Sequence, residues 1–347
     1  MNTSADFGWT EQTQHAWDAL NLLNMQPARV VADFGTSLKL ATPEIISAEL
    51  SGKLAHYSER DDTPKVGDWV AVHITDSGSA TVESVVLRAN EIARKVAGKR
   101  VLKQIVAANV DIAFVLLALD NDFSVERLRR FLYQLATDNI EAVIVLNKAD
   151  KTDDLESFTA QLEQFTIPII ITTATEDMGV DTIAAHIKPG KTAILLGSSG
   201  VGKSTLTNKL LGRETQQTNS VRKRDSTGKH TTVHRELFIL PNGGILIDTP
   251  GIRELQLWGT EDQLDETFDD IISLMATCKY ANCNHTKESG CAIREALRNK
   301  TLDKKHYANY LKMKSELAKL AARSAERIRQ NNGRKRPTNK TLYDDLV

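Results

Sequence analysis

Cysteine is scarce in this chain, with three residues in 347. So small and odd a number excludes a disulfide framework as the source of stability. Long apolar runs are missing as well. None reaches the ~18 to 20 residues that span a bilayer. The opening MNTSADFGWT has no basic stretch followed by an apolar core, so a secretory signal is not expected. Excess charge is also absent: 44 Lys and Arg stand against 45 Asp and Glu, a net charge of -1. The whole molecule is therefore not a polycation that coats nucleic acid. There are no internal repeats and no low-complexity tracts. What remains, 41% hydrophobic and 26% charged, is ordinary globular composition, long enough for two or three domains. A cytoplasmic monomer, away from membranes and DNA, is the expectation.

The texture of the chain changes three times. Residues 1–27 are polar and weakly patterned, with one short helix expected around residues 15–24. From 29 to about 90, RVVADF, SLKLAT, ISAEL, DWVAVHI and ATVESVVL are short alternating or β-branched runs separated by turn residues. Five such strands at this spacing predict a small barrel of the OB-fold type. From about Val110, near-continuous apolar runs alternate with amphipathic segments: VDIAFVLLAL, SVERLRRFLYQLATDN, EAVIVLN, DDLESFTAQLEQF, IPIIITT, VDTIAAHI, TAILLG and KSTLTNKLL. That alternation predicts a parallel sheet covered by helices on both faces. ELFIL and GGILI then read as two strands joined at Asn242-Gly243-Gly244, and the chain from about Glu261 is helical except around its cysteines.

Three strand ends carry nucleotide chemistry. After TAILL comes Gly197-Ser198-Ser199-Gly200-Val201-Gly202-Lys203-Ser204-Thr205, the G-x-x-x-x-G-K-[ST] pattern. Its glycines let backbone N–H groups turn inward around phosphate oxygens, Lys203 brings a point charge toward the β and γ phosphates, and Ser204 offers a hydroxyl to Mg²⁺. After GGILI comes Asp248-Thr249-Pro250-Gly251. Asp248 suits Mg²⁺ held through water, and Gly251 lets an amide approach the γ-phosphate. After EAVIVL comes Asn147-Lys148-Ala149-Asp150. Asp150 can accept from guanine N1–H and the N2 amine, which adenine cannot offer. Lys148 can lie along the base, and Asn147 can brace the loop. Thr173-Ala174 resembles a weaker backbone contact to guanine O6.

The order of these motifs is informative. Ordinary small GTPases place the phosphate loop first and the guanine reader near the end; here the guanine reader precedes the phosphate loop. The sheet survives such a permutation where termini lie close together. Between the phosphate loop and Asp248, the stretch from Ser220 to Thr232 is the expected switch, with Thr231 and Thr232 both candidates to close over Mg²⁺. Ile252 follows the DTPG motif and cannot orient water by hydrogen bonding, so slow intrinsic hydrolysis is expected.

All three cysteines fall in one segment, Cys278, Cys283 and Cys291, with His285 among them. The spacing C-x₄-C-x-H-x₅-C offers a closed tetrahedral set for one structural Zn²⁺. Residues 301–347 carry twelve Lys or Arg against five Asp or Glu. This basic arm suits either RNA phosphates or simple solvation.

Taken together, KVGDWV, Ala108-Asn109-Val110-Asp111, NKAD, GSSGVGKST, GKHTT, DTPGIRE and the Cys/His segment resemble the circularly permuted ribosome-biogenesis GTPases called RsgA, or YjeQ/YloQ. The resemblance covers roughly residues 28–325. It implies an OB-fold barrel, a permuted P-loop GTPase domain and an α-helical zinc domain, with Cys278, Cys283, His285 and Cys291 as ligands. It also implies Mg²⁺ with GTP or GDP, and action on the 30S subunit and its 16S rRNA late in maturation, with hydrolysis stimulated by that subunit. His230 matches a family position beside the switch threonines; it either orients the attacking water or is a polar loop residue. Arg94, Lys95, Lys99 and Arg100 are either rRNA contacts or a linker. The expected boundaries are 1–27 for an extension, 28–95 for the barrel, 96–260 for the GTPase domain, 261–335 for the zinc domain and 336–347 for a flexible tail. A GTP-gated module for another RNA is the alternative. A metabolic P-loop kinase fits less well, because NKAD is present and no substrate lid is.

Overall fold

A computed structural model describes residues 4–35, 37–42, 44–57, 63–75, 78–95, 103–120, 122–213, 235–248 and 260–333. The chain forms two compact units, residues 1–97 with 102–256, and residues 98–101 with 257–347.

The first unit opens with helix α1 (Glu11–Asp18), which starts where Thr10 caps the amide of Thr13 at 3.1 Å. It lies earlier than the helix expected over 15–24. The sequence reads the first 27 residues as weakly patterned, yet Phe7 is buried and Trp9 packs edge-on against Trp69 with centroids 4.6 Å apart. Periodicity does not reveal single anchors of this kind.

Strands β1 (Gln26–Asp33), β2 (Leu38–Ala41), β3 (Ile45–Leu50), β4 (Trp69–Ile74) and β5 (Ala80–Val85) are the five runs expected. Helix α2 (Gly52–Tyr57) lies between β3 and β4. The pairing β1–β2–β3–β5–β4 closes on itself because β4 returns to β1. Closure removes the open edge that a five-stranded sheet would otherwise present. Ala28, Val30, Leu40, Val70, Val72 and Val82 fill the barrel.

A two-stranded sheet of β6 (Glu91–Lys95) and β7 (Lys103–Ala108) follows. The sequence gives this stretch no strands; EIARK and KQIVAA mix charge with short apolar runs and lack a clean alternation.

The nucleotide sheet is built from β8 (Ile112–Ala118), β9 (Glu141–Asn147), β10 (Ile169–Thr172), β11 (Thr192–Gly197), β12 (Arg235–Ile239) and β13 (Ile245–Asp248), in the spatial order β10-β9-β8-β11-β13-β12. Five strands are parallel and β12 runs antiparallel at the end. All seven residues of β8 are buried, and they alternate between two cores. Ala113, Val115 and Leu117 meet helix α3 (Val125–Thr137), through Leu128 and Phe131. Ile112, Phe114 and Leu116 share a core with Ile183 of α5 (Val180–His186) and Leu206 and Leu210 of α6 (Lys203–Leu211). A strand covered on both faces must be apolar throughout, which is why these runs lack alternation. Helix α4 (Leu155–Ala160) is shorter than the DDLESFTAQLEQF pattern suggests; turns take over at Gln161.

The barrel and the nucleotide sheet are continuous, since β1 pairs with β12 at Ala32–Glu236 and Asp33–Arg235. At the junction the buried Arg29 donates to the carbonyl of Phe7, to Gly67 O and Asn109 O, both at 3.2 Å, and to Thr192 Oγ1 at 3.0 Å. Burial pushes its guanidinium down to about 10, with Asp111 and Asp68 pulling the other way, so it stays charged at neutral pH. Gly67 (φ +91°) is required here: a Cβ would sit 2.2 Å from the Ala108 carbonyl oxygen.

The second unit contains α7 (Glu261–Thr267), α8 (Asp269–Ala276), α9 (Ala292–Asn299) and α10 (Lys304–Gly333). Thr260 and Gln263 form a capping box at the start of α7. Phe268 stacks on His306 at 5.2 Å and meets Tyr310 at 5.4 Å, while His306 pairs with Asp270 at 2.8 Å. Helix α10 reaches Gly333; the expected flexible tail, 336–347, lies outside the described residues. Among the described residues no helix is long and apolar enough to cross a membrane.

Candidate nucleotide site and metal centre

The C-terminal ends of parallel strands share one edge of a sheet, and ligands of open α/β sheets bind there. NKAD follows β9, Thr173-Ala174 follows β10, the phosphate loop follows β11, and Asp248 closes β13. Motifs scattered over 102 positions, from 147 to 248, thus come to one edge.

Asn147 ties them together. Its side chain is buried, and both ends of the amide are used. Nδ2 donates to the Val201 carbonyl of the phosphate loop at 2.8 Å. Oδ1 accepts from Thr172 Oγ1 at 2.9 Å and from the Ala174 amide at 3.2 Å. One carboxamide therefore locks the start of the NKAD loop to the loop after β11 and to the stretch after β10. The packing is tight enough to dictate a glycine: Gly202 has φ +105°, and a Cβ there would lie 2.2 Å from Asn147 Nδ2.

Lys148 sits in the left-handed region (φ +64°) and donates to Asp120 Oδ2 at 2.8 Å. Ala149 and Asp150 begin a short turn, and Asp150 pairs with Lys151 at 2.9 Å. The hydrogen bond from Lys151 holds the Asp150 carboxyl below the usual range, which keeps it an acceptor. The amides of Thr173 and Ala174 are engaged within the protein, with Met178 O and Asn147 Oδ1. In the phosphate loop, Lys203 Nζ donates to Gly197 O at 2.7 Å and Ser198 O at 2.6 Å. Gly200 has φ +81°, and Ser199 precedes it on the same exposed turn. Lys203, Ser204 and Thr205 form the first turn of α6, so its amides face the loop. Ser198 Oγ donates to Asp122 Oδ2. His230, Thr231, Thr232 and Gly251 lie outside the described residues, as do Lys99, Arg100 and the side chains of Arg94 and Lys95.

The arrangement offers a loop whose amides could cradle an anion, a carboxylate at Asp150 that could accept from a base, and hydroxyl and carboxylate oxygens that could take Mg²⁺. Ser204 and Asp248 would hold that ion, which would neutralise charge on the phosphates. Sequence reasoning missed Thr172, Asp120 and Asp122. The last two follow β8 directly, so their place at a strand's C-terminal end was the available signal.

The metal centre is local. The ligand atoms of Cys278, Cys283, His285 and Cys291 all lie within 4.8 Å of one another. His285 Nδ1 is 3.6 Å from Cys278 Sγ and 3.5 Å from Cys291 Sγ. A tetrahedral Zn²⁺ with ordinary bond lengths has S–N edges of ~3.6 Å, so this set fits one such ion. The amides of Ala292 and Ile293, in the first turn of α9, face Cys278 and lower its thiol against the opposing effect of burial. Glu288, which the sequence does not single out, accepts from the amides of Asn284, Thr286 and Lys287 at 3.1, 2.9 and 2.9 Å. Its own and the Lys287 amide, ahead of the others, pull its carboxyl down to about 2.

Comparison with known proteins agrees with this geometry. Residues 85–258 match the family model described as RsgA GTPase. The small ribosomal subunit biogenesis GTPase RsgA of Xanthomonas oryzae pv. oryzae is 39% identical over 344 residues, covering 95% of this chain and 93% of that protein. Its namesake from Syntrophotalea carbinolica is 36% identical over 342 residues, covering 95% and 94%. Among solved structures, YjeQ from Thermotoga maritima is similar with a TM-score of 0.60 at 27% identity, over 85% of this chain and 99% of that one. YloQ, a circularly permuted GTPase, shares the fold with a TM-score of 0.57 at 22% identity, over 85% and 96%. With the motif order, the sheet and the relatives in agreement, this chain belongs to the RsgA family of ribosome-biogenesis GTPases and hydrolyses GTP.

Proposed function

We propose that this protein is a cytoplasmic, monomeric assembly factor acting late in maturation of the 30S subunit, with GTP hydrolysis stimulated by that subunit. The observation that carries the nucleotide chemistry is the Asn147 carboxamide, which joins the base-reading and phosphate loops. The names of the relatives support the partner.

In this reading Asp150 selects guanine, Lys148 lies along the base, and the amides from Gly197 to Ser204 cradle the phosphates with Lys203. Thr205 follows them in the first turn of α6. Ser204 and Asp248, with Thr231 or Thr232 and the Gly251 amide, serve Mg²⁺ and the γ-phosphate, and His230 orients water. GTP orders the switch and favours docking on 16S rRNA through the barrel and the basic C-terminal arm; hydrolysis releases the factor. The domain boundaries are those given above. Zn²⁺ in the Cys278, Cys283, His285, Cys291 set holds the C-terminal helices together rather than reacting, because four protein ligands leave no open position.

The test is GTP turnover by the purified protein alone, with 30S subunits, with 50S subunits, and with ATP in place of GTP. Stimulation by 30S alone supports the proposal. Tight GTP binding without 30S stimulation moves the partner to another RNA. Retained 30S stimulation in His230→Ala removes that histidine from the mechanism.

A further inference from the structure

The loop after β8 touches both nucleotide loops. In the sheet β8 lies between β9 and β11, the strands that end in the guanine-reading and phosphate loops. A residue just past its end therefore lies between them. The Leu119 amide donates to Asn147 O at 2.9 Å, which fixes where the loop begins. The Asp122 amide donates to Asp120 Oδ1 at 2.9 Å, and the Phe123 amide to Asp120 O at 3.1 Å. This turn holds the Asp120 carboxylate in one orientation, and its second oxygen takes Lys148 Nζ at 2.8 Å.

Asp122 is anchored on the other side. Its Oδ1 pairs with Arg127 of α3 at 3.0 Å, Arg127 also donates to its carbonyl, and its Oδ2 accepts the Ser198 hydroxyl. Two carboxylates two positions apart thus hold one residue of each nucleotide loop.

The consequence follows from what those residues must do. A lysine ammonium on a four-carbon stem samples many rotamers unless a partner selects one. Asp120 is the partner the structure gives Lys148. The Lys148 hydrogen bond keeps the Asp120 carboxyl below the usual range, although burial pushes it up, so the charge is present at neutral pH. A phosphate loop works only when its amides converge, and a hydroxyl tied down at Ser198 restrains that curve.

We propose that Asp120 and Asp122 are positioning residues for the nucleotide: Asp120 sets Lys148 against the base, and Asp122 sets the phosphate loop through Ser198. One loop thereby fixes the separation of the base and phosphate subsites. The inference rests on the guanine-site reading above and adds two residues that do not themselves touch the nucleotide.

An exposed ion pair with no positioning role is worth less than about fivefold in an equilibrium. A positioning role predicts that Asp120→Asn weakens GDP binding by about five- to twentyfold, with part of the loss recovered in Asp120→Glu. The measurement is fluorescent-GDP titration of the full chain with Mg²⁺ present, arranged as two double-mutant cycles: Asp120→Asn with Lys148→Ala, and Asp122→Asn with Ser198→Ala. Within each cycle the double variant should bind no more weakly than the weaker single variant. The unfolding midpoint of the nucleotide-free protein should stay unchanged. A loss under twofold in Asp120→Asn and Asp122→Asn, full additivity within both cycles, or a loss matched by a lowered midpoint would overturn the proposal. Wild type that does not prefer GDP to ADP would instead overturn the guanine site itself.

Discussion

The nucleotide site and the cysteine knuckle answer the same problem, holding polar groups in fixed positions, in opposite ways. The nucleotide site collects residues up to 101 positions apart, at the ends of β9, β10, β11 and β13. Its geometry is set by the sheet and by one buried amide, before any ligand binds. The knuckle takes four ligands from the 14 residues 278–291. Among the described residues, Cys291 is the one fully buried ligand and the other three are half-buried. A site built on a core is preorganised; a site built on a short loop needs its ion to be a structure.

The largest test of that contrast is removal of the metal. Chelation should unfold the second unit, because structural Zn²⁺ contributes on the order of 10 kcal/mol to folding in small zinc domains. GDP binding by the first unit should survive. Parallel circular dichroism and GDP titration check this, and loss of GDP binding along with helicity would break the comparison.

Next in size is Asn147→Ala. It removes the partner that the Asn147 carboxamide gives the Val201 carbonyl and the Ala174 amide, and leaves the Thr172 hydroxyl with only its 3.5 Å contact to Leu146 O. The cost should be about 2–4 kcal/mol of stability in the first unit, with GDP affinity reduced at least tenfold. Chemical denaturation and calorimetry measure the two effects, and the metal content of the second unit should not change.

Gly202→Ala is expected to be smaller, about 1–3 kcal/mol. The strain comes from φ +105° and from the Cβ contact with Asn147. If the loop relaxes around the methyl group, GDP affinity will hold, and the site is less rigid than its geometry implies.

The smallest change is Glu288→Gln. The Glu288 carboxyl is pulled from its ordinary 4.5 down to about 2 by backbone amides of the knuckle. A depressed acid contributes above its unfolded value, so this bracing is present above pH about 4.5 and fades as pH falls toward 2. At neutral pH the glutamine variant should bind Zn²⁺ roughly tenfold more weakly, read by competition with a chromophoric chelator. Unchanged affinity would mean that the loop is held by the metal alone.

Much of the candidate site was legible in the chain because its chemistry depends on short patterns. GSSGVGKS between an apolar run and a helix specifies a phosphate loop wherever the strand lies. C-x₄-C-x-H-x₅-C specifies a metal set because its ligands are near in sequence and must be near in space. The strands of the barrel and of the parallel sheet were legible because burial on one face or two leaves an alternating or a continuous apolar run.

Tertiary structure decided the rest. The closure of β4 on β1, and the pairing of β1 with β12, join residues some 40 and 200 positions apart, which no local pattern encodes. The burial of Arg29, the three partners of Asn147, and the placement of Asp120 and Asp122 between two loops follow from strand order. Hydrophobic periodicity reports whether a residue is inside and on which face. It carries no information about which distant backbone will supply a hydrogen bond, and in this protein those distant bonds turn a set of motifs into a site.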